Sequence, residues 1–117
     1  MYEIKAIIQP FMLERVLKAL AAHSDLPGVM VSEVLGWGLT SEDRGEDADT
    51  ETVHEAGHAF ARKTKIEIVL PDEMLEPVLE AIETTAHTGK LGDGKIFVYR
   101  VDDVIKIRTG ARGKDAI

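Results

Sequence analysis

An α+β fold, with one antiparallel sheet carrying two helices on a single face, is predicted by two observations in this 117-residue sequence. The first is an internal repeat: MLERVLKAL at Met12–Leu20 and MLEPVLEAI at Met74–Ile82 are identical at six of nine positions, at an offset of 62. The second is the setting of each copy. A β-branched run closed by a proline precedes it, and a turn and another apolar run follow it, so the order is strand, helix, strand, twice over. A duplicated βαβ unit is the ferredoxin-like arrangement.

Ile4-Lys5-Ala6-Ile7-Ile8 is the first strand, and Pro10 stops it because proline has no N–H to give a ladder. Leu13, Val16, Leu17 and Leu20 fall at i, i+3, i+4 and i+7, which makes one apolar helical stripe. Pro27-Gly28 turns the chain into a second strand, Val29–Leu35. Residues 39–62 fit neither period; acidic and holding two glycines, they are expected to form a long flexible loop. Ile66–Leu70, ended by Pro71, is the next strand, and Leu75, Val78, Leu79 and Ile82 repeat the helical stripe. Pro77 lies close enough to that helix's start to be tolerated. Gly89 to Gly94 leads into Ile96–Tyr99, and Val104–Arg108 is expected as a short closing strand. With both helices on one face, the apolar runs Ile7-Ile8 and Ile96–Tyr99 need cover on the other, which predicts an oligomer.

Length and composition predict one domain, residues 1–117, with a single core. No apolar run approaches the roughly 20 residues of a membrane helix, and MYEIKAIIQPF lacks the apolar stretch and cleavage site of a secretory signal. The absence of cysteine excludes disulfides and thiolate metal sites and fits a cytoplasmic location. Most of the net charge of −7 is local, because residues 41–58 carry seven acids against Arg44 alone. Nucleic-acid binding by a basic face is not expected.

Three stretches carry chemistry. His54-Glu55-Ala56-Gly57-His58 matches H-E-x-x-H, but zinc hydrolysis needs that motif on a helix with a third ligand and a dry cleft. Gly57 disfavours the helix, and His23 and His87 end the predicted helices instead of supplying a ligand. A reversible transition-metal site through His54 and His58, in a carboxylate-rich loop, is the alternative reading. Gly89-Lys90-Leu91-Gly92-Asp93-Gly94-Lys95-Ile96 approaches a Walker A loop, yet Ile96 replaces its hydroxyl and a strand follows where a helix should. Its glycines still allow backbone N–H groups close to an anion, with Lys90 and Lys95 at hand. Third, strand alternation over Val104–Arg108 would set Lys106 and Arg108 on one face, about 6.6 Å apart; with the glycine turn they outline a polyanion site, and a nucleotide's phosphates suit it.

Four segments carry a resemblance: IKAIIQPFMLERVLKAL, GVMVSEVLGWG, KTKIEIVLPDE and AHTGKLGDGKIFVYRVDDVIKIRTG. In these the chain resembles the PII signal-transduction family, and is similar to a divergent branch of it. The resemblance implies a homotrimeric, non-enzymatic regulator that binds ATP or ADP, and AMP with it, in clefts between subunits and controls a partner protein through its long loop. By position it implies phosphate contacts from Gly92, Asp93, Gly94 and Lys95, with Lys106 and Arg108 reaching in from a neighbouring subunit. Ile7, Met30, Glu67 and Val69 would line the base and ribose, and Gly36, Gly38 and Lys63 the root of the loop. Lys106 stands where the family usually has arginine, which exchanges a bidentate fork for a point charge. Leu39-Thr40 replaces an Arg-Gln pair whose glutamine helps hold Mg²⁺ and 2-oxoglutarate, which argues against 2-oxoglutarate sensing. The loop has no tyrosine to be nucleotidylylated. Its acidity argues against the usual ammonium-channel partner, leaving an unidentified target, a membrane transporter among the candidates, with no insertion into the membrane by the chain itself.

Overall fold

The computed structural model describes residues 1–37 and 52–117. Its elements are β1 (Tyr2–Ile8), α1 (Leu13–Leu20), β2 (Val29–Gly36), β3 (Thr52–Glu55), β4 (His58–Leu70), α2 (Leu75–Ala86) and β5 (Lys95–Arg100). A short 3₁₀ turn precedes each helix, Pro10–Met12 and Asp72–Met74. The repeat is conformational as well as chemical: Met12 (φ −92°, ψ −8°) and Met74 (φ −92°, ψ −9°) cap the two helices with nearly the same backbone.

The strands form one antiparallel sheet in the order β2-β4-β1-β5, with β3 added to β4. This is the ferredoxin-like α+β arrangement that the duplicated pattern predicts. Alternation decides what each strand contributes. Ile4, Ala6 and Ile8 of β1 and Thr64, Ile66, Ile68 and Leu70 of β4 are buried, and meet Val16 and Leu20 of α1 and Val78 and Ile82 of α2. Burial of each such aliphatic side chain is worth about 1.5–3 kcal/mol. Among the described residues no helix is long and apolar enough to cross a membrane.

Among the described residues no helix covers the opposite face of the sheet. By register it carries Met30, Ser32 and Val34 of β2, Lys63, Lys65, Glu67 and Val69 of β4, Glu3, Lys5 and Ile7 of β1, and Lys95, Phe97 and Tyr99 of β5. Met30 is 71% exposed and Phe97 and Tyr99 more than 40%. Lys5 sits 5.1 Å from the centre of the Tyr99 ring, covering part of that apolar surface.

Two expected elements differ. Residues 52–62, expected as loop, form β3 and the first part of β4, joined by a two-residue turn at Ala56 (φ 48°) and Gly57 (φ 78°). Two successive positive φ angles suit the right-handed twist of a hairpin. The closing strand Val104–Arg108 is not a strand: among the described residues its pairing is the single bridge Ile105–Arg112. Gly110 (φ 73°) lets the chain reverse there, and the Lys106 carbonyl accepts the N–H groups of Thr109 and Gly110. Turn chemistry at Thr109-Gly110 overrides the β-branched run.

Candidate functional site

The glycine turn between α2 and β5 is held in shape by Asp93. Its carboxylate accepts the Thr88 N–H at 2.8 Å, the Gly89 N–H at 2.9 Å and the Thr88 hydroxyl. Burial pushes the Asp93 carboxyl up, and the hydrogen bonds from Thr88 and Gly89 more than offset this, so it titrates below the usual range. The Asp93 carboxylate is engaged by the turn's own donors, so its side chain positions the turn. Thr88, which the sequence reading passed over, is its partner. An acid five residues beyond a threonine in a glycine turn was the available signal.

Gly92 (φ 94°) and Gly94 (φ 98°) open the turn's backbone. Gly94 also lies on the end of β1: a Cβ there would fall 1.7 Å from the Ile7 carbonyl oxygen. Lys95, the first residue of β5, pairs with Ile7. From the neighbouring β4, Lys63 Nζ donates to the Gly92 carbonyl at 2.5 Å. Partial burial lowers the Lys63 ammonium's pKa, and the nearby Asp93 charge works against that shift. Ile7, Lys63, Gly92, Asp93, Gly94 and Lys95 thus form one cluster. A groove of about 570 Å³ opens beside it along α2, its α2 wall acidic with Glu76, Glu80 and Glu83, and Lys95 is the one ammonium among its lining residues.

Met30, Glu67 and Val69 lie at the other end of the same open face. They line a smaller cavity of about 260 Å³, shared with Glu3, Val104 and Ile117. Lys65 Nζ bonds Glu67 Oε1 at 2.9 Å and keeps that carboxyl below its usual range. On β1 the two clusters are marked by Ile7 and Glu3, four residues and about 13 Å apart along an extended strand.

The segment carrying Lys106 and Arg108 belongs to this second end. It leaves β5 where the Val101 N–H donates to the Met1 carbonyl, and returns with Ile117 in the smaller cavity. Lys106 and Arg108 do not share a strand face: Lys106 precedes the turn and is half-buried, whereas Arg108 lies within it and is exposed. Neither lines the groove beside Lys95.

The sequence model of nitrogen regulatory protein P-II matches residues 1–111 of this chain. The chain belongs to the P-II family. Relatives named nitrogen regulatory protein P-II from Rhodospirillum rubrum (44% identical), Azospirillum brasilense (43%) and Haemophilus influenzae (42%) align over 119 residues, covering all of both chains in each case. Against this P-II background the loop-root positions divide. Gly36 pairs with Ala61 at the end of β2 and Lys63 follows two residues on, whereas Gly38, Leu39, Thr40 and most of the acidic stretch lie outside the described residues.

The metal reading of His54 and His58 requires correction. HEAGH is a hairpin, and its register sets His54 opposite Ala59 and Glu55 opposite His58. Directly opposed residues share a face and neighbours alternate, so the two imidazoles point to opposite sides of the ribbon and cannot close on one ion. His58 instead packs edge-on against Trp37, ring centres 5.7 Å apart, and against Phe60 at 6.4 Å. Among the described residues no group of three or more His, Asp or Glu is placed to hold a metal. The hairpin likewise removes the helix that a zinc hydrolase needs.

Proposed function

We propose that this P-II family chain is a non-enzymatic cytoplasmic regulator, a homotrimer that binds ATP or ADP, and AMP with them, between subunits and passes the nucleotide's presence to a partner protein through residues 39–62. One observation carries the reading. The phosphate-type residues of a single chain lie at opposite ends of one uncovered sheet face, Lys95 with the glycine turn at one end and the segment of Lys106 and Arg108 at the other. A second copy is required to bring them together.

The residues fit an adenine nucleotide. Gly92 and Gly94 have positive φ and no side chain to bar approach, so the turn's backbone N–H groups and the Lys95 ammonium would take the phosphates, with Lys106 and Arg108 from the neighbour. Met30 and Val69 of that neighbour, with Ile7 of the first chain, would receive the base, and the Glu67 carboxylate would accept from a ribose hydroxyl or base N–H. The Asp93 carboxylate holds the turn, and its backbone N–H is among those that would face the phosphates. Communication to the loop runs through Lys63, whose ammonium holds the Gly92 carbonyl and lies two residues from the Gly36–Ala61 pair. A phosphate arriving at the turn competes for that ammonium, and the released strand biases the loop.

Calorimetric titration with ATP, ADP and AMP, alongside light scattering for the assembly mass, tests this. The expected results are three protomers per particle and nucleotide binding that weakens at least tenfold in Lys95→Ala and in Arg108→Ala. A monomer, or binding unaltered by either substitution, refutes the proposal.

A further inference from the structure

We infer that His87 is a proton-dependent positioning residue of the phosphate-binding turn: its imidazolium pairs with the Asp93 carboxylate that shapes the turn, so that an anionic nucleotide binds together with a proton. This rests on the nucleotide reading above and adds to it a residue that the reading leaves without a role.

The ring is held against the turn. His87 caps the C-terminal end of α2 in an extended conformation (φ −72°, ψ 128°), and its Nδ1 lies 3.7 Å from Asp93 Oδ2. That oxygen already accepts the Thr88 and Gly89 N–H groups. A Cβ built on Gly89 would stand 3.6 Å from His87 Nε2, so the imidazole sits between two residues of the turn itself. Asp93 is required for the turn's shape, yet it brings a negative charge to a place that has to receive an anion. An imidazolium at this position cancels that charge without taking the carboxylate away from Thr88 and Gly89.

The surrounding charges set the direction of the coupling. Asp93 favours the imidazolium, as do Glu83, one helical turn back, and Glu80 and Glu76 farther along the same groove wall. The carbonyl end of α2 also favours a cation at its cap. Against it stand the ammonium groups of Lys95 at the start of β5, Lys63 on β4 and Lys90 in the turn. A bound polyphosphate would neutralise those lysines and add negative charge of its own, so nucleotide favours the proton on His87. By reciprocity the proton favours nucleotide, and affinity rises as pH falls through the range in which imidazole gains its proton, about 6.5. The His87 side chain is 71% exposed, so solvent screens its charge and the gain is about three- to fivefold.

Calorimetric titration with ATP at about pH 5.5 and about pH 8, on wild type, His87→Gln and His87→Lys, tests this. The terminal phosphate of ATP titrates in the same window for every variant, so the readout is each protein's ratio of affinities at the two pH values. Wild type is expected to gain about three- to fivefold more on acidification than His87→Gln. His87→Lys, whose charge is fixed across the window, is expected to show the ratio of the glutamine variant while binding ATP more tightly than it at the higher pH. His23→Gln is the control, because His23 lines a separate cavity with Asp25 and Glu73, and it should keep the wild-type ratio. Equal ratios in wild type and His87→Gln would overturn the proton-linked role and leave the nucleotide site standing. So would a lysine variant that binds no better than the glutamine variant at the higher pH. Failure of wild type to bind ATP at either pH would overturn both this role and the reading beneath it.

Discussion

Gly94→Ala offers the sharpest perturbation of the site. The added methyl would lie 1.7 Å from the Ile7 carbonyl oxygen and 2.7 Å from its carbon, against a 3.0 Å limit below which real Cβ contacts essentially do not occur. Both are backbone atoms at the end of the β1–β5 ladder, where Ile7 is also paired with Lys65 of β4, so no rotamer relieves the clash. The turn must move by about an ångström, and the Ile7–Lys95 pair is the first to give way. Losing one or two ladder hydrogen bonds costs about 1–3 kcal/mol, and holding alanine at φ 98° adds about 1–2 kcal/mol. A destabilisation of about 2–5 kcal/mol follows, measurable as a lower urea midpoint at unchanged slope. Gly113→Ala is the control: its φ is 71° but nothing lies within 4 Å of the new Cβ, so only the conformational cost of about 1 kcal/mol remains. If the two variants prove equally stable, the close approach of turn and strand inferred here is wrong.

Asp93→Ala leaves two N–H groups and the Thr88 hydroxyl without their acceptor, and should cost about 1–3 kcal/mol in denaturant melts and weaken ATP binding with it; Asp93→Asn, which keeps an acceptor oxygen, should lose less. Asp72, bonded to the N-terminal ammonium, Asp93 and Asp103 all titrate below the usual carboxyl range when folded. Their contribution is complete above the unfolded value of about 3.9 and disappears as pH falls through the depressed folded values; a urea midpoint that stays level from pH 5 to pH 2.5 would contradict this. Lys106→Arg restores a planar bidentate donor and is expected to tighten ATP about three- to tenfold in calorimetry; weaker binding would show that Lys106 faces away from the phosphates. Trp37 is the only tryptophan and packs on His58, so saturating ATP should alter its emission in wild type and leave it unchanged in Lys95→Ala.

The fold was legible because its two halves say the same thing twice. An apolar stripe that recurs 62 residues on, each time after a β-branched run and a proline, leaves few topologies open. The hairpin at residues 52–62 was not legible. Its turn is Ala-Gly, where alanine takes a φ of 48° that asparagine or aspartate would have advertised, and its strands carry His, Glu, Ala and Arg in place of a clean alternation. The closing segment failed in the opposite sense: Val104–Arg108 has a strand's composition, but Thr109-Gly110 and the Asp103–Arg112 clamp turn it back on itself. The candidate residues on regular strands, Ile7, Met30, Glu67 and Val69, share one face because register fixes alternation. The bonding of the Asp93 carboxylate was not legible, since a carboxylate in a glycine turn can face a ligand or its own backbone, and only geometry separates the two.

Strand β4 unites the turn with the loop. At Ala61 it pairs with Gly36 on one edge and Thr52 on the other, so β3 continues the line of β1 past Ile8, leaving Arg62 and Lys63 between them. Lys63 reaches the glycine turn from there. A displacement of Gly92 therefore pulls on a strand that is paired with the last residue before Trp37 on one side and the first described residue after the acidic stretch on the other. Both ends of that stretch are tied to a single residue pair level of β4, and a shift of one strand changes both at once. A flexible tether would absorb such a displacement; two ladder pairs sharing Ala61 transmit it. Ala61→Pro, which removes the N–H at the shared position, should accordingly uncouple ATP binding from Trp37 emission while calorimetric affinity at the turn is retained. If emission still follows ATP in that variant, the signal travels by another route than β4.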